Sequence, residues 1–194
     1  MNWFENAVFY HIYPIGYFGC PRQNDFTSEP THKILRVIDD IPHIKELGCN
    51  AVYFGPVFES SAHGYDTADY TKIDRRLGTN EDFKKVCDAL HENGIRVVLD
   101  GVFNHCGSFN KWMDRERIYE GEEDYEPGAY VSADSPYRSY FRFFKEGPEN
   151  WPYNGNYDGW WGHDTLPKLN YEDSVKLENY ILYIGRKWVS PPYN

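Results

Sequence analysis

The sequence has few basic residues and few cysteines for its size. Its 194 residues include 20 Lys and Arg against 30 Asp and Glu, which leaves a net charge of −10. An acidic surface repels phosphate backbones, so this balance argues against nucleic acid as a partner. The cysteines, Cys20, Cys49, Cys87 and Cys106, are spaced too widely for a zinc knuckle or a redox pair.

Long apolar runs are also missing. No stretch is long enough to cross a bilayer, and the first residues lack the basic start and apolar core of a signal peptide. We therefore expect a cytoplasmic protein with no membrane partner. No glycine-rich phosphate loop follows the first predicted strand, which argues against a Rossmann domain.

Aromatic residues, by contrast, are plentiful. The chain has 17 Tyr, 12 Phe and 6 Trp. Most of these rings are expected to pack in the core and loops, but a surface rich in rings also suits flat ligands such as sugars or bases. The negative net charge favours sugars over bases.

Hydrophobic patterns predict strands that alternate with helices. Predicted strands cover 8–13, the segment from Asn50 to Gly55-Pro56, and 95–100, and predicted helices cover 31–47, 79–94 and the stretch from Tyr171. Pro42 is expected to kink or split the first helix. The apolar run before Asp100 does not alternate, which is typical of a parallel strand covered on both faces. The order predicts an α/β fold with right-handed parallel crossovers.

Two connections are unusually long. The segment 56–78 reads as a loop, and residues 103–170 are rich in Gly, Pro, Tyr, Trp and Asp with little periodicity. A compact domain rarely contains so long a structureless loop, so we interpret 103–170 as an irregular inserted subdomain. The predicted division is therefore 1–102, 103–170 and 171–194.

Polar residues follow the second and third predicted strands. In "RVVLDGVFNHCG" the apolar run stops at Asp100, and Asn104 and His105 come shortly after; "HGYDTADY" places Tyr65 and Asp66 after the second strand. Ligands of parallel α/β folds bind at the carboxyl ends of the strands. We therefore expect these side chains to share one site.

These motifs resemble those of the alpha-amylase family, glycoside hydrolase family 13. The segments "GYDTADY", "DGVFNH" and "LPKLN" occur in the family's order over essentially the whole chain. The resemblance implies a partial TIM (β/α)8 barrel of about three units, with domain B inserted after strand three. Lys168, where many alpha-amylases have Asp, is similar to the neopullulanase, cyclomaltodextrinase and maltogenic amylase branch, which suggests short maltooligosaccharides or cyclodextrins, rather than long starch, as substrates.

The resemblance also implies roles for single residues. Tyr65 would stack on the sugar at the cleavage subsite, and His105 would donate a hydrogen bond to its hydroxymethyl oxygen. Asp100 would orient an arginine of the fourth strand, Asp66 would do similar ion-pair work, and His63 would join them in binding substrate. Asn104 matches a calcium-binding position, although a lysine at 168 opposes a cation there. No cofactor is required, and calcium is left open.

The family's retaining chemistry needs two carboxyl groups about 5 Å apart, which family members place on strands four and five. We find no counterpart for them here, so we expect no catalytic residue in this chain and no hydrolysis by it alone. A non-catalytic carbohydrate-binding or regulatory remnant, with Trp160-Trp161 helping to hold a sugar, stays open. So does a metal hydrolase built on His63, His105 and Asp100, although their spacing matches no compact ligand set. Exposed sheet edges predict self-association or association with a missing half of the barrel.

Overall fold

A three-stranded parallel sheet organises the first part of the chain. The computed structural model describes residues 2–144 and 157–194. Its strands are β1 Phe9–Ile12, β2 Ala51–Phe54, β3 Phe58–Ser60, β4 Thr67–Ile73 and β5 Arg96–Leu99. Its α-helices are α1 Pro14–Tyr17, α2 Val37–Glu46, α3 Asn80–Glu92 and α4 Val175–Trp188. Short 3-10 segments cover Trp3–Asn6, Lys33–Arg36, Arg138–Tyr140 and Trp160–Gly162.

The order of the parallel sheet is β1-β2-β5. Phe9 pairs with Ala51, and Ala51 pairs with Arg96 on its other side. The predicted α/β class and parallel strand order are confirmed. β5 ends at Leu99, one residue before the predicted end, although the Asp100 N–H still donates to the Phe54 carbonyl (3.0 Å).

The sequence of helix α3 contains a capping box at its start and an apolar face along its length. The Thr79 side chain accepts a hydrogen bond from the Asp82 N–H while the Asp82 carboxylate accepts one from the Thr79 N–H, which forms a capping box. The predicted apolar face, Phe83, Val86, Cys87 and Leu90, is fully buried. Gly94 follows the helix with a φ of +74°, a conformation that favours glycine.

Pro42 lies inside α2, which continues as one helix from Val37 to Glu46; the chain changes from 3-10 to α geometry earlier, after Arg36. A split at Pro42 is therefore wrong, and a kink there stays a prediction. Two further local predictions are wrong. The predicted loop 56–78 contains β3 and β4, which form a two-stranded sheet. β5 is partly exposed rather than covered, because among the described residues it pairs only with β2 and is an edge strand.

The chain divides into two compact units. The first consists of Met1–Glu59, Thr71–Gly101 and Arg186–Asn194, and the second of Ser60–Tyr70 and Val102–Gly185. Between β5 and α4 the described chain has 3-10 segments and isolated bridges such as His105 with Lys168 and Gly159 with Pro167. Residues 145–156 of the predicted insert lie outside the described residues.

Aromatic packing forms the core of the second unit. The Tyr70 ring stacks on Trp112 with centroids 5.6 Å apart, and Trp112 makes edge contacts with Tyr140 and Tyr180. The predicted helical face of α4 packs here too, and Leu177 and Ile184 are fully buried. This core supports the segment that contains Asn104 and His105.

Candidate carbohydrate site

A pocket of about 600 Å³ opens in the second unit, a volume within the usual range for small-molecule sites. Its lining combines aromatic rings, imidazoles and a few neutral polar groups. The lining residues are His63, Tyr65, Val102, Phe103, Asn104, His105, Trp160, His163, Thr165 and Leu166. The pocket thus contains five residues that the sequence singled out: His63, Tyr65, Asn104, His105 and Trp160.

Both ring nitrogens of His105 have partners among the residues that line the pocket. Its Nε2 lies 3.0 Å from the Tyr65 carbonyl oxygen, and its Nδ1 lies 3.2 Å from Asn104 Nδ2. A carbonyl oxygen only accepts hydrogen bonds, so Nε2 is the protonated nitrogen in this arrangement, and Nδ1 accepts from the amide. Trp160 covers the imidazole with a ring-centroid distance of 5.1 Å and an interplanar angle of 22°.

Tyr70 positions the backbone of the same segment. Its hydroxyl lies 2.8 Å from the His105 carbonyl oxygen and 3.1 Å from that of Val102. Burial raises the pKa of Tyr70 well above its ordinary value, so the hydroxyl stays a neutral donor. Burial likewise raises the pKa of the Cys106 thiol, which makes this neighbour of His105 a poor nucleophile.

Asp66 holds the short turn that presents Tyr65. Its carboxylate accepts hydrogen bonds from the Ser61 hydroxyl and from the Gly64 N–H (3.0 Å), and His63 Nδ1 lies 3.4 Å from it. The Tyr65 N–H donates to His63 Nδ1 (3.2 Å). Asp66 is buried and does not line the pocket, so its contacts fix the turn rather than meet a ligand. Tyr65 as a residue is 39% exposed.

Asp100 lies in the first unit. Its carboxylate accepts a hydrogen bond from the Tyr53 hydroxyl (2.7 Å), and the Tyr53 ring contacts His11 at a centroid distance of 4.9 Å. The carboxylate therefore has a partner within its own unit.

Asn104 also borders a smaller pocket of about 180 Å³ together with Arg142, Asp158 and Lys168. Lys168 Nζ lies 3.7 Å from Asp158 Oδ2. The two carboxylates of this wall, Asp158 and Glu172, are paired with Lys168 and Arg142. Calcium requires six to eight oxygen ligands, and the described residues contain no group of three or more acidic, His or Cys side chains able to hold a metal. Calcium at Asn104 stays a prediction, but this donor set is a poor fit for it.

Sequence reasoning missed part of the pocket wall. His163 and Thr165 line the pocket, but they occur in a segment without helical or strand periodicity. Only their position just before "LPKLN" could have drawn attention to them. Leu166, the first residue of that motif, lines the pocket as well. Ser61, the partner of Asp66, has no motif that would mark it.

Comparison with known proteins places the chain in a family. The family model for the alpha-amylase catalytic domain matches residues 32–191. The chain therefore belongs to the alpha-amylase family, glycoside hydrolase family 13. It is 33% identical over 202 residues to a maltogenic alpha-amylase from Bacillus acidopullulyticus, covering 97% of this chain and 32% of that protein. With an amylopullulanase from Thermoanaerobacterium thermosulfurigenes the identity is 34%, covering 88% of this chain and 9% of that protein.

A solved structure supports the same assignment. A hydrolase of cyclic alpha-maltosyl-(1→6)-maltose from Arthrobacter globiformis matches with a TM-score of 0.75 and 32% identity, covering 96% of this chain and 42% of that one. A second structure of that hydrolase is a complex with maltose. The predicted partial barrel is consistent with these matches, and the chain spans less than half the length of each of these relatives.

Proposed function

We propose that the pocket of the second unit binds glucose residues of a maltooligosaccharide or related alpha-glucan. The observation that carries this proposal is the pairing of Tyr65 with His105 and Trp160 around one pocket. Similar proteins support this substrate class. Two of them are named as an amylopullulanase and a maltogenic alpha-amylase, and one structure of the Arthrobacter globiformis hydrolase is a complex with maltose.

Tyr65 supplies the principal apolar contact in this proposal. Its partly exposed ring suits the C–H face of a pyranose, and its backbone is held by His105, by His63 and by the turn that Asp66 anchors. A ring that is already positioned loses little conformational entropy when it binds a ligand.

Polar groups around the ring would bind sugar hydroxyls. His63, Asn104, His163 and Thr165 offer both donors and acceptors at the pocket wall. The predicted hydrogen bond from His105 to the sugar would use the same Nε2–H that now bonds to the Tyr65 carbonyl. His105 therefore serves first as a positioning residue for Tyr65 and binds sugar when that bond exchanges. We assign Asp66 a positioning role as well, and Asp100 the predicted support of an arginine.

Cleavage needs groups that this pocket does not contain. A retaining glycosidase uses two carboxyl groups about 5 Å apart, one as nucleophile and one as acid/base. Among the described residues the pocket lining includes no carboxyl side chain. We propose that the chain binds alpha-glucans without hydrolysing them on its own, and that hydrolysis belongs to the whole protein.

Calorimetric titration of the chain with maltotriose tests this proposal, with a reducing-sugar assay on the same samples. Tyr65→Ala should weaken binding about tenfold because the stacking surface is lost, and Tyr65→Phe should stay within about threefold because the ring remains. Tyr183→Ala removes an exposed tyrosine of α4 outside the pocket and is the matched control.

Two results would contradict the proposal. Equal affinity of wild type and Tyr65→Ala, or no binding by wild type, would remove the pocket as a sugar site. Release of reducing ends by the purified chain would show that cleavage occurs without further carboxylates.

A further inference from the structure

Three aromatic rings form a continuous column at the edge of the pocket. His105 and Trp160 have centroids 5.1 Å apart, and Trp160 and Trp161 stack more closely, at 4.5 Å with an interplanar angle of 11°. Trp160 lines the pocket, whereas Trp161 does not. Trp161 is 83% exposed, the largest value among the exposed large hydrophobic residues described. One indole face is therefore covered by Trp160, and the outer face is open to solvent.

The backbone holds Trp161 in an unusual conformation. Its φ is +50° and its ψ is 28°, in the left-handed region that bulky side chains rarely adopt. The turn around it is closed by hydrogen bonds from the Gly162 N–H to the Gly159 carbonyl (2.9 Å) and from the Trp160 N–H to the Leu166 carbonyl (2.9 Å). Gly159 also bridges to Pro167, at the start of "PKLN". The strained backbone is thus supported on both sides, which is typical of a residue kept for its side chain.

We propose that the outer face of Trp161 is a second sugar-binding platform, which takes a glucose unit of the same oligosaccharide beyond the unit held in the pocket. The inference rests on the proposed function, since it needs a glucan in the pocket. The ligand of Trp161 is the oligosaccharide already in the pocket, because Trp160 both lines the pocket and stacks on Trp161. An indole is the largest flat side chain available to stack on a pyranose.

In this arrangement Trp161 determines how strongly the protein prefers longer oligosaccharides over shorter ones. A disaccharide fills the pocket and gains little from a ring outside it, whereas a tetrasaccharide reaches both surfaces. Two surfaces that bind one chain raise its affinity without any new contact in the pocket. The chain should therefore prefer maltotetraose over maltose, and Trp161 should account for most of that preference.

Calorimetric titration with maltose and with maltotetraose tests the inference. Trp161→Ala should weaken maltotetraose binding about three- to tenfold and leave maltose binding within about twofold. Trp161→Tyr, which keeps a stacking ring, should restore most of the tetrasaccharide affinity. Tyr183→Ala removes another exposed aromatic residue of the same unit and should leave both affinities unchanged. Circular dichroism spectra that match wild type would confirm that each variant is folded.

The outcomes separate this inference from the proposed function. If wild type binds both sugars equally well, or if Trp161→Ala lowers both affinities by the same factor, the second platform is wrong and the pocket stands. If wild type binds neither sugar, the proposed function itself fails.

Discussion

At the scale of single residues, the candidate site depends on side chains whose partners lie within the chain. His105 bonds to the carbonyl of Tyr65, Asp66 anchors the turn before Tyr65, and the Tyr70 hydroxyl fixes the backbone of His105. Sequence reasoning placed Tyr65 and His105 at one site because both follow parallel strands. It also singled out Asp66, but it could not identify the support from Tyr70, since a hydrogen bond between residues 35 positions apart leaves no local pattern.

The pKa of the Asp82 carboxyl group links one buried charge to the stability of the fold. Burial disfavours its charged form, but hydrogen bonds from His32 and from the Thr79 N–H outweigh burial and lower the pKa of Asp82. His32 Nδ1 lies 2.6 Å from its carboxylate. Because the folded-state pKa lies below the unfolded value of about 3.9, the stabilisation is complete above about pH 4 and is lost as the pH falls through the folded-state pKa.

We predict that Asp82→Asn lowers the free energy of unfolding by about 1–2 kcal/mol at pH 7, because it removes the negative charge that accepts hydrogen bonds from His32 and from the Thr79 N–H in the first turn of α3. The difference from wild type should shrink as the pH falls below about 4, where wild type also loses the charge. Urea denaturation at both pH values measures this. Glu81→Gln, which removes an exposed carboxylate of the same helical turn, is the control. A difference that does not change with pH would contradict the assignment.

At the scale of secondary-structure elements, strong periodicity could be read from the sequence and weak periodicity could not. Helix α3 has a capping box and a complete apolar face, and α4 has a similar face, so both were predictable. β3 has only three residues, shorter than the run that a strand pattern needs, and its sequence therefore does not mark the two-stranded sheet that it forms with β4. The apolar residues of β5 predict a strand that is buried on both faces. How many strands flank β5 depends on the whole sheet, however, and its own residues do not encode that number.

Gly107 packs closely against the backbone at the start of β4, next to the turn that presents Tyr65. A Cβ at Gly107 would lie 2.4 Å from the Asp66 carbonyl oxygen, and the Gly107 N–H donates to the Thr67 carbonyl (2.8 Å). We predict that Gly107→Ala displaces the turn that presents Tyr65, lowers the free energy of unfolding by about 1–3 kcal/mol and weakens maltotriose binding about tenfold.

A glycine in helix α4 provides the matched control. A Cβ at Gly185 meets no atom within 4 Å, so Gly185→Ala should stabilise the chain by about 0.5–1 kcal/mol through helix propensity and leave binding unchanged. Urea denaturation and calorimetric titration of both variants measure these effects. Wild-type sugar affinity in Gly107→Ala would show that the turn does not determine the pocket.

At the scale of the whole molecule, the chain is an alpha-amylase family member that spans about a third of the maltogenic alpha-amylase it resembles. Family membership was predictable because three short motifs in order identify it. None of the described helices is long and apolar enough to span a membrane. The cytoplasmic location, the predicted self-association and calcium binding stay predictions, because they depend on surroundings that neither the sequence nor the fold specifies.

A crystal structure of the chain with maltotriose would show whether the pocket of the second unit binds sugar through Tyr65. We expect a glucose ring against the face of Tyr65, within hydrogen-bond distance of at least one polar group of the pocket wall, with all glycosidic bonds intact. Maltotriose bound away from Tyr65, in the first unit or on another surface of the second, would contradict it.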